Sequence, residues 1–149
     1  MKAYAGEAII QELNNTGISS IDFTSSDDES HQILVIHSHN DFFLSDKHPF
    51  IIMNADIDFK SEEFDERERY VISYGLNSKA TVTASSISDK QIVICIQRAI
   101  KDIHHNEIEP QEIPIALKFG LKDTSKIIAC VTLALVGGMS AAQIQNIKF

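Results

Sequence analysis

Basic charge is what this chain has least of. Its 13 Lys and Arg stand against 21 Asp and Glu, a formal net charge of −8 over 149 residues. A surface of that sign repels phosphate backbones, so nucleic acid is not an expected partner. The acid lies mainly in residues 27–29 and 62–68, runs that read as solvated loops or helix faces. Cysteine is scarce as well. Cys95 and Cys130 each sit inside an apolar run, I-V-I-C-I and I-I-A-C-V; two such thiols make no disulfide framework and suit a reducing compartment. Long apolar stretches are missing too: the longest, residues 127–139, falls short of the ~18 residues that cross a bilayer. Glu7 interrupts the start of the chain, where a signal peptide needs hydrophobicity. No repeat or low-complexity segment is visible. These absences predict one soluble, cytoplasmic domain over residues 1–149, away from membranes. At 44% hydrophobic residues it is long enough to bury roughly two-thirds of its unfolded surface.

What is present reads as alternating strands and helices. Residues 4–14 carry an apolar stripe (Ala5, Ala8, Ile9, Leu13) at helical spacing. The Asn14-Asn15-Thr16-Gly17 run supplies a stop, because Asn and Gly tolerate the left-handed conformation. Residues 18–23 suggest a short strand. Residues 32–37, 50–54 and 70–74 are apolar runs whose continuity predicts strands of a sheet covered on both faces. Residues 62–69 suggest exposed helical turns. In residues 80–87 small apolar residues alternate with Thr and Ser, a half-exposed strand. Residues 91–100 and 108–119 form a hairpin around K-D-I-H-H-N-E, with Ile113, Ile115, Leu117 and Phe119 on one face. The last part is helical: Asp123 or Thr124 can cap a helix whose core face is Ile127, Ile128, Val131 and Leu135. Gly137-Gly138 ends that helix, and Ser140 to Gln143 spells a capping box. The expected fold is α/β: a mixed sheet with a buried parallel core, a small antiparallel sub-sheet and a buried C-terminal helix.

Two groups of residues invite chemistry. On an extended chain His37, His39 and Asp41 project to one side, as a metal site requires, with His31 and His48 nearby. An apolar strand followed by His-x-His also resembles the first strand of amidohydrolase-type hydrolases. Those barrels need about 250 residues for their remaining ligands, more than this chain has. A solvent-facing strand end with hydrogen-bonded imidazoles is the commoner setting. Asp56 and Asp58 follow an apolar strand, and sites in open α/β sheets gather at carboxyl ends. Their oxygens suit Mg²⁺, although Asp at such places more often builds a turn. His104-His105 reads as an exposed hairpin tip. No Ser-His-Asp or Cys-His arrangement stands out.

Four stretches, taken in order, carry a resemblance. Ile51-Ile52-Met53-Asn54-Ala55-Asp56 is similar to an apolar strand ending in Asn-x-Asp-Asp, and Ile72-Ser73-Tyr74-Gly75 to a strand ending in Tyr-Gly. Residues 80–87 and the hairpin after them resemble a small antiparallel sheet. Phe119-Gly120, the small-residue helix and Gly138-Met139-Ser140 complete the series. Over residues 49–149 the chain thus resembles the second half of the ATP-binding central domain of the Mur ligase family, which joins amino acids to peptidoglycan precursors for the cell wall; the kinship of residues 1–48 stays open. The resemblance implies nucleotide or ligand contacts at Asn54, Asp56, Asp58, Tyr74 and Lys126. It also has gaps. The six glycines include no Gly-Lys-Thr loop to hold phosphates, the base-contacting asparagine is replaced by Lys126, Ile57 stands at the second aspartate, and no counterpart of the family's C-terminal domain follows. Ligase activity is therefore not expected of this chain alone. The resemblance implies a degenerate relative without cofactor in isolation. It would be a module docking onto a protein partner or a second copy, or a fragment of a split ligase that uses Mg²⁺ and ATP only with its other half. The competing expectation is a small metal-binding protein or metal-dependent hydrolase built on His37, His39 and Asp41.

Overall fold

A computed structural model describes residues 2–18, 21–24, 32–39, 41, 49–57, 69–118 and 123–149. The acidic runs, Asp58, His31, His48 and Phe119-Gly120 fall outside the described residues. The chain opens with β1 (Lys2–Tyr4), α1 (Glu7–Thr16) and β2 (Asp22–Thr24). Next come the three apolar strands β3 (Ile33–Ile36), β4 (Phe50–Asn54) and β5 (Tyr70–Tyr74). The alternating segment forms β6 (Val82–Ile87), and the hairpin forms β7 (Gln91–Ile96) and β10 (Gln111–Ala116). Its tip is a two-residue ribbon of β8 (Ile100–Lys101) and β9 (Glu107–Ile108). The helices α2 (Thr124–Val136) and α3 (Ala141–Gln145) finish the chain.

Eight strands join one sheet in the order β10-β7-β6-β5-β4-β3-β1-β2. The pairings from β2 through β6 are all parallel, and those of β7 with β6 and β10 are antiparallel. Strand β7 alone therefore runs against the other seven. The α/β fold with a parallel core, an antiparallel portion and a buried C-terminal helix is as the patterning implied.

One expectation needs correction. Tyr4 belongs to a strand, and the first helix runs from Glu7 to Thr16, where Gly17 adopts φ 71° and ends it. The three residues Lys-Ala-Tyr have no apolar run of their own. They are a strand because β2 and β3 pair with them from both sides, and Ala3 is fully buried.

Register sorts the side chains into two layers. Val35, Ile52 and Ile72 lie abreast and join α1 and α2 in the larger core. Their neighbours Leu34 and Ile51 face the other way and form a second cluster with Ile36, packed by Met53 and Val71. Both layers are buried, which is why the sequence is apolar at consecutive positions. In α2 the ten residues from Ile127 to Val136 are all buried, as a helix apolar on every side must be. Its one polar residue there, Thr132, satisfies its hydroxyl by donating to the Ile128 carbonyl at 2.7 Å. Asp123 caps α2 by accepting from the Lys126 amide, and Ser140 and Gln143 close a capping box on α3. Strand β10 forms one edge of the sheet. It carries Pro114, a residue tolerated on edges because no ladder bond is asked of its nitrogen.

Candidate functional site

Parallel strands end on one side, so the loops that leave them share an edge. Here the loops after β1, β3, β4 and β5 bring together Gly6, His37, Asn54 and Gly75. The chain goes from β1 outward to β2, then returns past β1 to β3. That reversal makes β1 and β3 the switch point of the sheet, where the open ends of an α/β fold leave a crevice.

His37 follows β3 directly. Its Nδ1 shares a 2.6 Å hydrogen bond with the Tyr74 hydroxyl at the end of β5. The two rings are nearly coplanar in orientation, 3° apart with centroids at 6.1 Å. Burial lowers the His37 pKa below its ordinary 6.5, the carboxylates of Asp123 and Asp41 oppose that shift, and Lys126 adds to it. The imidazole is thus neutral at pH 7. Burial also pushes the Tyr74 phenol far upward, so it stays protonated.

Asn54 ties the strand ends to each other. Its Nδ2 donates to the His37 carbonyl at 3.2 Å, and its Oδ1 accepts from the Asp56 amide at 3.0 Å. Asp41 lies under the same loop, only 8% exposed. Its Oδ2 accepts from the amides of His37 and Ser38 at 3.0 and 2.9 Å and from the Ser38 hydroxyl at 3.3 Å. The Asp41 amide donates back to the Ser38 carbonyl at 3.1 Å, so the chain turns here instead of staying extended. The one-sided projection of His37, His39 and Asp41 therefore does not arise: the His37 ring goes to Tyr74, the Asp41 carboxylate goes to backbone, and His39 is exposed. Among the described residues no three His, Cys, Asp or Glu side chains converge as a metal site.

Asp56 fastens a loop. Its two oxygens accept from the amides of Leu76 and Asn77, each at 2.8 Å. The carboxylate lies so close to Gly75, which has φ +144°, that a Cβ there would come within 2.6 Å of it. Lys126 stands in the first turn of α2, its ammonium 3.9 Å from Asp123, and both charges act on His37. Of the residues singled out from sequence, the fold therefore brings His37, Asn54, Tyr74 and Asp41 together, with Lys126 and Asp123 close enough to act on them. Asp58 lies outside the described residues.

Gly6 and Asp123 were not among the candidates. Gly6 is the N-cap of α1 and makes no side-chain cap, and a Cβ on it would meet Asp41 Oδ1 at 3.2 Å. No local spacing announces a contact between residues 6 and 41. Asp123 was legible only as a helix cap. Chemically the edge offers a neutral imidazole–phenol pair, an amide and a lysine–aspartate pair. Ser38 bonds to a carboxylate and not to an imidazole, so this serine is not activated as a nucleophile. The two cysteines are free thiols, and burial raises the Cys130 pKa, leaving it unreactive. No protein-family model matches this chain, and no curated protein matches it in sequence.

Proposed function

We propose that this chain is a Mur ligase-like module that holds a ligand or a protein partner at the carboxyl edge of its sheet and carries out no ligase chemistry itself. The observation that carries this reading is the turn from β1 into α1. Phosphate-binding α/β domains use such a strand–turn–helix passage, with a glycine-rich loop and a lysine, to cradle phosphate on helix amides. Here the passage is Ala5-Gly6-Glu7. Glu7 sits in the first turn of α1, and the Asp41 carboxylate lies beside Gly6, with Oδ1 3.2 Å from where a Cβ on that glycine would stand. Two acids stand where phosphate would need donors and positive charge. The same observation favours a module over a split ligase, because a phosphate loop supplied by another polypeptide would find this position already filled.

Calorimetry tests the reading directly. Titration of Mg²⁺-ATP into the protein is expected to give no binding heat up to about millimolar nucleotide, the range where affinity is worth only about 4 kcal/mol. Micromolar binding would overturn the proposal.

A further inference from the structure

At the end of the sheet opposite this edge lies a cavity, and helix electrostatics decide what it suits. Helices α1 and α2 pack together and both begin at the carboxyl edge, so their carboxyl ends come together at the far end. Between them lies a cavity of about 320 Å³. It is lined by Thr16, Gly17 and Ile18 from the end of α1, Gly138 and Met139 from the end of α2, and Gln143 of α3.

Aligned peptide dipoles leave about half a negative charge at the carboxyl end of each helix. Neither helix carries a basic residue in its last turn, and among the described residues no charged side chain lines the cavity. The chain already brings one cation to this end: the Lys118 ammonium lies 3.5 Å from the Asn15 carbonyl of α1, from more than 100 residues away in sequence. The last carbonyls of α2, Leu133 to Val136, already accept backbone amides from residues 103 and 137–139. Each carbonyl oxygen keeps a second lone pair, so these bonds do not cancel the field.

The geometry points to a binding site for a small organic cation, a primary ammonium or guanidinium group on a short apolar stem. The helix ends would hold the charge, and Ile18 and Met139 would cover the stem. A volume near the lower limit for ligand pockets, roughly 300 Å³, keeps that stem short. The chain's net charge of −8 favours cations at its surface.

The test compares three probes of one length, pentylammonium, pentanol and pentanoate, followed by amide NMR shifts at Gly17 and Gly138. Pentylammonium is expected to shift both amides saturably. Pentanol should bind roughly tenfold more weakly, the value of two helix dipoles acting on one charge, and pentanoate should not bind. Thr16→Lys puts an ammonium at the last residue of α1 and is expected to abolish the response, while Thr16→Gln keeps it. Equal binding of alcohol and ammonium, no shift with any probe, or an unchanged response in Thr16→Lys would each overturn the assignment.

Discussion

His37 shows how one residue's surroundings become a property of the whole fold. Its pKa lies below 6.5 in the folded state, chiefly because burial disfavours the charged ring. In the unfolded chain the ring protonates at its ordinary pKa, so on acidification the unfolded state takes up the proton first. Stability must then fall as pH drops from about 6.5 toward the folded-state value. His37→Gln removes that titration. Thermal unfolding between about pH 7.5 and about pH 5 is expected to show a shallower loss of melting temperature in the variant than in the parent. Equal slopes would show that some other group governs the acid limb. The partner of this histidine could not be read from spacing. His37 and Tyr74 are 37 residues apart and meet because the parallel registers of β3, β4 and β5 line up their ends. Asp41 was legible as an oxygen ligand by residue type, but its burial under the loop, satisfying two amides, depends on a turn that the extended-strand reading missed.

At the scale of elements, the loop between β5 and β6 depends on a contact across sequence. Asp56 reaches 20 and 21 residues ahead to the amides of Leu76 and Asn77, and Gly75 makes room for it. Gly75→Ala is expected to cost about 1–3 kcal/mol, from a φ that side chains avoid and from the collision with the carboxylate. In an Asp56→Ala background the collision disappears and only the backbone part remains. Denaturant unfolding of the two single variants and the double variant should therefore show a coupling of about 0.5–3 kcal/mol; strict additivity would disprove the contact's role. The elements themselves were largely legible where they carry their own signals. Residues 32–37, 50–54 and 70–74 are apolar enough to specify buried strands, and the caps at Asp123 and Ser140 have hydrogen-bonding side chains at the right offsets. Strand β1 was not legible. Three residues without an apolar pattern become a strand only because neighbours supply both ladders.

The molecule as a whole is organised around that unannounced strand. With β1 between β2 and β3, the first residues of the chain help complete the sheet and supply the switch point at its carboxyl edge. At the opposite margin, Phe149 is 1% exposed, its amide bonded to the Ala116 carbonyl and its carbonyl accepting from the Lys118 amide. Lys148 pairs with Ala116 through a single parallel bridge at the edge of β10. The two ends of the chain are thus both built into the sheet, on different strands. From β1 to β10 there are six strand spacings, roughly 29 Å at ~4.8 Å each. A dye pair attached at the two termini becomes a ruler laid across the whole sheet. Because the sheet twists and Lys118, whose amide donates to the Phe149 carbonyl, also reaches the Asn15 carbonyl of α1, energy transfer should report a straight-line span shorter than that path in the native protein.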